Sequence, residues 1–280
     1  MTDLLNHSHL LLTPYETYVL LAATYLHDVG IVYGRKEHEL KCHEVLATLG
    51  SRAGDDVIEK LIIVRIAQSH GGLTPTGEKD TIRNLDFRTR ILGEHVRVQV
   101  LAALLRLSDE LADERERANR FILEHNEKLL AGSEIYHAYS FALQSAIVEP
   151  PDIYLDFELL KKYADRTLAK EQGSVYLLEE IYKRTLKVQQ ETVYCMRFLR
   201  PLITVDRVRV KIDVFDNYDS NTFLVPREQI GYTLEEPTAY PDYSGKTIQE
   251  LLPNHDLPSG EALKSKLWPE TQQEAPNATH

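Results

Sequence analysis

The sequence predicts a mostly α protein: a helical bundle over residues 1–130, a small α+β subdomain over 131–215, and an irregular, Pro-rich acidic tail over 216–280. Three observations carry this. The first 130 residues show helix-period apolar stripes, each closed by a glycine or a polar turn. Pro150-Pro151 and the strict alternation Val208-Arg209-Val210-Lys211-Ile212-Asp213-Val214 mark strands. Residues 216–280 hold 7 of the 12 prolines and little sustained periodicity.

Thr13-Pro14-Tyr15-Glu16 is a helix start: Thr13 caps, Pro14 has no N–H to orphan, and Glu16 reaches back to the cap. The following YVLLAATYL is apolar almost all round, which predicts a central helix ending near Gly30. A second helix is expected over Glu37–Leu49, closed by Gly50. A third runs from Asp55 to Ser69, with Val57, Ile58, Leu61, Ile62 and Val64 as its stripe. Residues 72–90 read as a loop, and a fourth helix as Glu94–Glu116. Strands are expected at Tyr136–Val148 and Ile153–Glu158, helices at 159–170 and 174–199, and one short helix in the tail at Thr247–Leu252.

The chain has 280 residues, long enough for a sizeable core, and a net charge of −11. Residues 216–280 contribute −7 of that charge and the first 215 residues only −4. There is no basic surplus to coat duplex DNA, yet a local phosphate-binding pocket in the helical part is not excluded. Two cysteines, Cys42 and Cys195, give neither a disulfide framework nor a cysteine-rich zinc site. The N-terminus lacks a basic region and no apolar run reaches the ~18 residues of a membrane span, so the expectation is a soluble cytoplasmic protein.

His27-Asp28 is the informative dipeptide. It ends an apolar helix, where a carboxylate is costly unless paired or bound to a cation. Adjacent helical residues point about 100° apart, so the imidazole and the carboxylate can approach one ion from neighbouring directions. A helix-end cap is the competing reading. His43 on the second helix, His70 at the end of the third and Asp109 within LAALLRLSDELAD each have a structural reading too; Asp109, for instance, could pair with Arg106 a turn away. Together they place metal-capable groups on four consecutive helices, a known way to build a metal site in a bundle.

Leu26-His27-Asp28-Val29-Gly30, then His43, His70 and Leu104-Leu105-Arg106-Leu107-Ser108-Asp109-Glu110-Leu111, resemble the HD superfamily of metal-dependent phosphohydrolases over residues 14–125. With its α+β part, the chain is most similar to HD domains associated with chaperone-like ATPase and conflict-system proteins. The resemblance implies an HD-type helical bundle binding one or two divalent ions (Mn²⁺, Fe²⁺, Ni²⁺, Co²⁺ or Mg²⁺). His27, Asp28 and Asp109 would hold the first ion, and His43 and His70 the second, with Asp28 bridging. Asp28, His70 and Arg106 would be the catalytic residues; Arg106, Arg35 and Lys41 are candidate phosphate clamps. His38 is read as a group supporting the ligands or as a surface neighbour, and Asp113 as a fallback ligand.

The superfamily usually carries a further His on a preceding helix. Here only His7 and His9 precede the dipeptide, so that helix precedes the sequence, or one of these two substitutes from a loop, or the ligand is lost. The expected activity is hydrolysis of a nucleotide or phosphodiester by a metal-activated water. The expected partner is a phosphate-containing small molecule, with a protein partner or a second copy of the chain as further possibilities. A non-catalytic nucleotide-sensing module and a single-strand nuclease are the competing readings.

Overall fold

The computed structural model describes residues 1–6, 11–34, 37–50, 56–71, 74, 76–112, 133–200, 202–217, 225–235 and 247–269. Among them the helices are α1 (Thr2–Asn6), α2 (Pro14–Leu26), α3 (Cys42–Thr48), α4 (Val57–Gln68), α5 (Val98–Glu110), α6 (Glu134–Ala142), α7 (Lys161–Ala164), α8 (Leu177–Leu199), α9 (Ile248–Leu251) and α10 (Gly260–Leu267). The strands are β1 (Thr89–Ile91), β2 (Glu94–Val96), β3 (Leu143–Glu149), β4 (Asp152–Leu160), β5 (Thr167–Lys170), β6 (Gly173–Tyr176), β7 (Arg207–Phe215) and β8 (Glu228–Leu234). None of these helices is long and apolar enough to cross a membrane.

Helix α2 starts as its sequence dictates, with Thr13 and Glu16 forming the reciprocal cap and Pro14 in the first turn. Its burial is one-sided, however. Val19, Leu20 and Ala23 are in the core, whereas Tyr18, Leu21 and Tyr25 face outward. The helix packs against α4 and α5 along one face, so it is flanking rather than central.

Glu16 has a second task. Arg97 donates to its carboxylate from Nε (2.7 Å), Nη2 (2.6 Å) and the backbone N–H (3.0 Å), joining α2 to the start of α5. Burial works to raise the Glu16 pKa, but the Arg97 guanidinium and the Thr13 and Arg97 amides outweigh it and hold the carboxyl below its usual range. A folded-state pKa below the unfolded one means the pair stabilises the fold at neutral pH and ceases to do so as pH falls below about 4. Glu16→Gln is expected to cost about 3 kcal/mol at pH 7. It should also flatten the acid limb of stability in urea titrations from pH 3 to 7. An unchanged acid limb would mean that other carboxylates govern it.

Several elements differ from the sequence expectation for identifiable reasons. The fourth helix starts at Val98 rather than Glu94, because Glu94–Val96 pairs antiparallel with Thr89–Ile91. Leu92 and Gly93, both at positive φ (51° and 89°), make the tight hairpin turn. The expected strand from Tyr136 is helical as far as Ala142. Ile135, Ala138, Tyr139 and Ala142 are all buried, and their spacing is that of a helix face. The helix expected over 159–170 reduces to the single turn α7, with β4 running to Leu160 and Thr167–Lys170 folded back on Gly173–Tyr176.

The main sheet has the order β3-β4-β7-β8, with β4 and β7 parallel and the outer pairs antiparallel. Its last strand comes from the stretch expected to be irregular. Ile230, Tyr232 and Leu234 alternate inward with exposed or half-exposed neighbours, and Val208 lies opposite Leu234. Helix α8 lies between this sheet and α5, and one contiguous apolar core runs from Leu4 to Leu267. The length of α8, 23 residues, lets one helix contribute to both the bundle and the sheet.

Candidate metal centre

The end of α2 delivers the first two polar groups. His27 is the helix cap, still bonded through its N–H to Ala23 O, and Asp28 leaves the helix into a 3₁₀ turn over Val29–Tyr33. A second 3₁₀ turn, His38–Lys41, packs across the first. Gly30 permits that crossing: a Cβ there would lie 2.0 Å from His38 O and 2.9 Å from Lys41 Cβ. His70 follows the end of α4, and Asp109 lies in the last turn of α5.

These groups converge on Asp28. Its Oδ1 lies 3.1 Å from His38 Nε2 and 3.7 Å from His70 Nε2, and its Oδ2 lies 3.5 Å from His27 Nε2. His27 Nε2 is also 3.3 Å from Asp109 Oδ1. Two overlapping ligand groups result, Asp28/His38/His70 and His27/Asp28/Asp109, each with its donor atoms within 4.8 Å of one another. They share the Asp28 carboxylate, which leaves room for one ion or for two bridged ones.

The tautomers support this use. His27 Nδ1 donates to Thr24 O (2.6 Å) and His70 Nδ1 to Ala67 O (2.5 Å), each carbonyl three residues back. With Nδ1 carrying the proton, Nε2 presents a lone pair inward, the form a metal takes. His27 Nε2 is buried without a hydrogen-bond partner. A lone pair held against two carboxylates is repulsive unless a cation sits between them, so the donor set fits a divalent ion of mixed N/O preference. Burial alone would lower the His27 pKa, but Asp109, the Thr24 carbonyl and Asp28 raise it above its usual value, a sign of how strongly this spot favours positive charge. His70, more deeply buried, is shifted downward by desolvation and stays neutral.

Of the residues singled out in the sequence, His27, Asp28, His70 and Asp109 come together. His43 does not. It is exposed, and its Nδ1 donates to Leu40 O at 2.6 Å. The cause is the break in the expected second helix: residues 38–41 are 3₁₀, Glu37 before them is left-handed, and the α-helix starts only at Cys42. His38 therefore points inward where His43 was expected. Metal content should separate the two: His38→Ala is expected to weaken retention of the ion about tenfold or more, with His43→Ala unchanged. The reverse order would return the site to His43.

Arg106 is likewise not a free clamp. It is buried, donates to both oxygens of Glu191 (2.7 and 3.0 Å), and lies 4.5 Å from the centre of the Tyr194 ring. Its Nη1 also donates to Lys79 O (3.2 Å) and Thr81 Oγ1 (2.9 Å), so it holds the 79–81 segment over the cluster. Lys41 is tied to Glu44 at 2.8 Å on the surface. His7, His9, Arg35 and Asp113 lie outside the described residues. Sequence reasoning missed Lys79 and Lys187, which line the same 450 Å³ cavity as Asp28, His38, His70 and Asp109. Lys187 pairs with Glu110 at 2.6 Å, and Lys79 has no carboxylate partner among the described residues.

A family model described as HD-CE matches residues 1–187. The chain belongs to the HD-CE family. No curated protein and no solved structure gives a significant match. The HD-CE match covers every residue of the cluster and ends within α8. It supports an HD-type domain, a class that generally holds divalent metal ions, and the paired ligand groups around Asp28 suit that class.

Proposed function

We propose that this HD-CE protein is a metal-dependent phosphohydrolase acting on a nucleotide or phosphodiester. The observation that carries the reading is the Asp28 carboxylate facing imidazole nitrogens from three separate segments, two of them with Nε2 set as a lone pair. His27, Asp28 and Asp109 would hold one ion, and His38 and His70, with Asp28 shared, a second. A divalent ion bound there supplies a low-pKa water and neutralises charge on a phosphate oxygen.

The chain's own groups do the rest. Asp28 stays partly open to the cavity, with a side-chain exposure of 39%, so a substrate oxygen could reach an ion held there, whereas His70 is closed off at 5%. Lys79 at the rim offers a cation for the phosphate. Arg106 positions it by tethering the 79–81 backbone. The 450 Å³ cavity falls within the roughly 300–1,000 Å³ range of small-molecule sites, which favours a nucleotide over a long polymer.

The test is release of phosphate, pyrophosphate or nucleoside from a nucleotide panel by purified protein, with each divalent ion added after chelation. Lys79→Ala is expected to raise KM about tenfold while leaving bound metal unchanged. Tight nucleotide binding without turnover under every ion would instead favour the sensing-module reading. Cleavage confined to fluorescent single-stranded DNA would favour the nuclease.

A further inference from the structure

The four-stranded sheet has two edges, and they are built differently. Strand β3 carries a register irregularity between Leu143 and Ser145 and has α1 packed against it, two features that spoil an edge for further pairing. Strand β8, Glu-Gln-Ile-Gly-Tyr-Thr-Leu, has neither a register shift nor a Lys or Pro. Among the described residues its backbone hydrogen-bonds only to β7, so every second residue turns an unpaired N–H and C=O outward.

Two cavities run along this open edge. One, of about 560 Å³, is lined by Glu228, Gln229, Ile230 and Gly231 and faced by residues 254–258 and α10. The other, of about 420 Å³, is lined by Thr233, Leu234 and Glu235, with Leu186, Leu251 and Leu252 as its apolar wall. Successive strand residues point to opposite faces, so a cavity touched by four in a row lies beside the backbone rather than over one face. His255 lines both cavities, which makes them one groove about 23 Å long, the span of a seven-residue strand. Gly231, near its middle, is exposed, and without a side chain what it exposes is backbone.

We propose that this groove binds an extended, basic segment of a partner protein, which joins the sheet as a fifth strand beside β8. The unpaired backbone row selects an extended chain. Glu235 and Asp256, one in each cavity, are exposed and have no ion-pair partner among the described residues. Lys266 is tied to Glu228 at 2.6 Å, and Arg207, the cation beside Glu235 on β7, is taken by Asp152. The groove therefore keeps negative charge for Lys or Arg on the incoming strand, and its leucine end accepts an apolar side chain between them. A second copy of β8 is a poorer occupant, because antiparallel pairing over residues 228–235 sets Glu228 of one copy against Glu235 of the other. Binding here does not depend on the reaction proposed for the Asp28 cluster.

The probe is the fluorescein-labelled octapeptide Lys-Val-Thr-Leu-Thr-Val-Thr-Lys, titrated into the full chain by fluorescence anisotropy. Replacing both of its lysines by glutamate is expected to weaken binding about tenfold. The variant Glu235→Lys/Asp256→Lys, changed at two exposed positions, should reverse that preference. N-methylation separates strand addition from a merely electrostatic contact. Methylating one alternate set of peptide N–H groups should cost about tenfold or more, and methylating the other set little, because only one set faces β8. The peptide comparisons on wild-type protein need no variant to fold. Equal loss from both methylated sets, no binding of the parent peptide, or a charge preference unmoved by the variant would overturn the proposal. A wild-type dimer, seen by sedimentation, that the peptide disperses would give the edge to a second copy and overturn it as well.

Discussion

Asp28→Ala is expected to strip the protein of its metal and of hydrolysis together. No other side chain touches as much of the cluster: the carboxylate faces His27, His38 and His70 within 3.1–3.7 Å. Its loss removes a donor from both ligand groups at once. Metal affinity should fall by about 100-fold or more, and turnover on the order of 10³-fold. Elemental analysis after gel filtration and a phosphate-release assay read the two effects. Asp28→Asn, similar in shape but uncharged, separates charge from packing and should retain the fold with little metal. Metal content unchanged in both variants would show that the ion, if bound, sits elsewhere.

The largest stability effect is expected at Glu191. Glu191→Ala leaves the Arg106 guanidinium, 4% exposed, without its bidentate partner, and breaking a buried pair in this way costs about 3–5 kcal/mol. Urea unfolding should show the loss directly. The double replacement Arg106→Leu/Glu191→Leu removes both charges and should recover most of that stability. It cannot recover the bonds from Arg106 to Lys79 O and Thr81 Oγ1. The double variant should therefore be stable but poor in substrate affinity. If it matches wild type in KM, the 79–81 segment is held by other contacts. The Tyr194 hydroxyl, which accepts from Ile82 N–H and donates to Asp80, is the first candidate.

What was legible in the sequence follows from where local rules and tertiary demands agree. His27-Asp28 and Asp109 stood out because each interrupts an apolar run, and a buried polar group needs a reason. His70 was readable from the helix end before a glycine pair. His38 was not, because its inward aim depends on Glu37 at a φ of 55° and on Gly30 allowing two 3₁₀ turns to cross, and neither leaves a periodic trace. Assuming one continuous helix there placed His43 on the inward face instead. The β1–β2 hairpin escaped notice because its turn is Leu92-Gly93 rather than the Asn-Gly or Asp-Gly usual for that geometry. Strand β8 did carry the alternation Ile230, Tyr232, Leu234, but the prolines around it obscured a run of only 7 residues. Arg106 illustrates a different limit: a cation beside a predicted phosphate site looks like a clamp until the helix 85 residues further on supplies its counter-charge.

Helix α8 also separates two meanings of a boundary. The family match stops at residue 187, while the helix it stops in continues to Leu199. Beyond that point the helix carries Glu191, which neutralises Arg106, and Tyr194, which fastens Ile82 and Asp80. The recognisable stretch of sequence thus depends, for the posture of its own pocket, on residues outside it. Inheritance and mechanical support have different edges in this chain. Changes in the second half of α8 can therefore retune the pocket around Asp28 without altering any residue that marks the family.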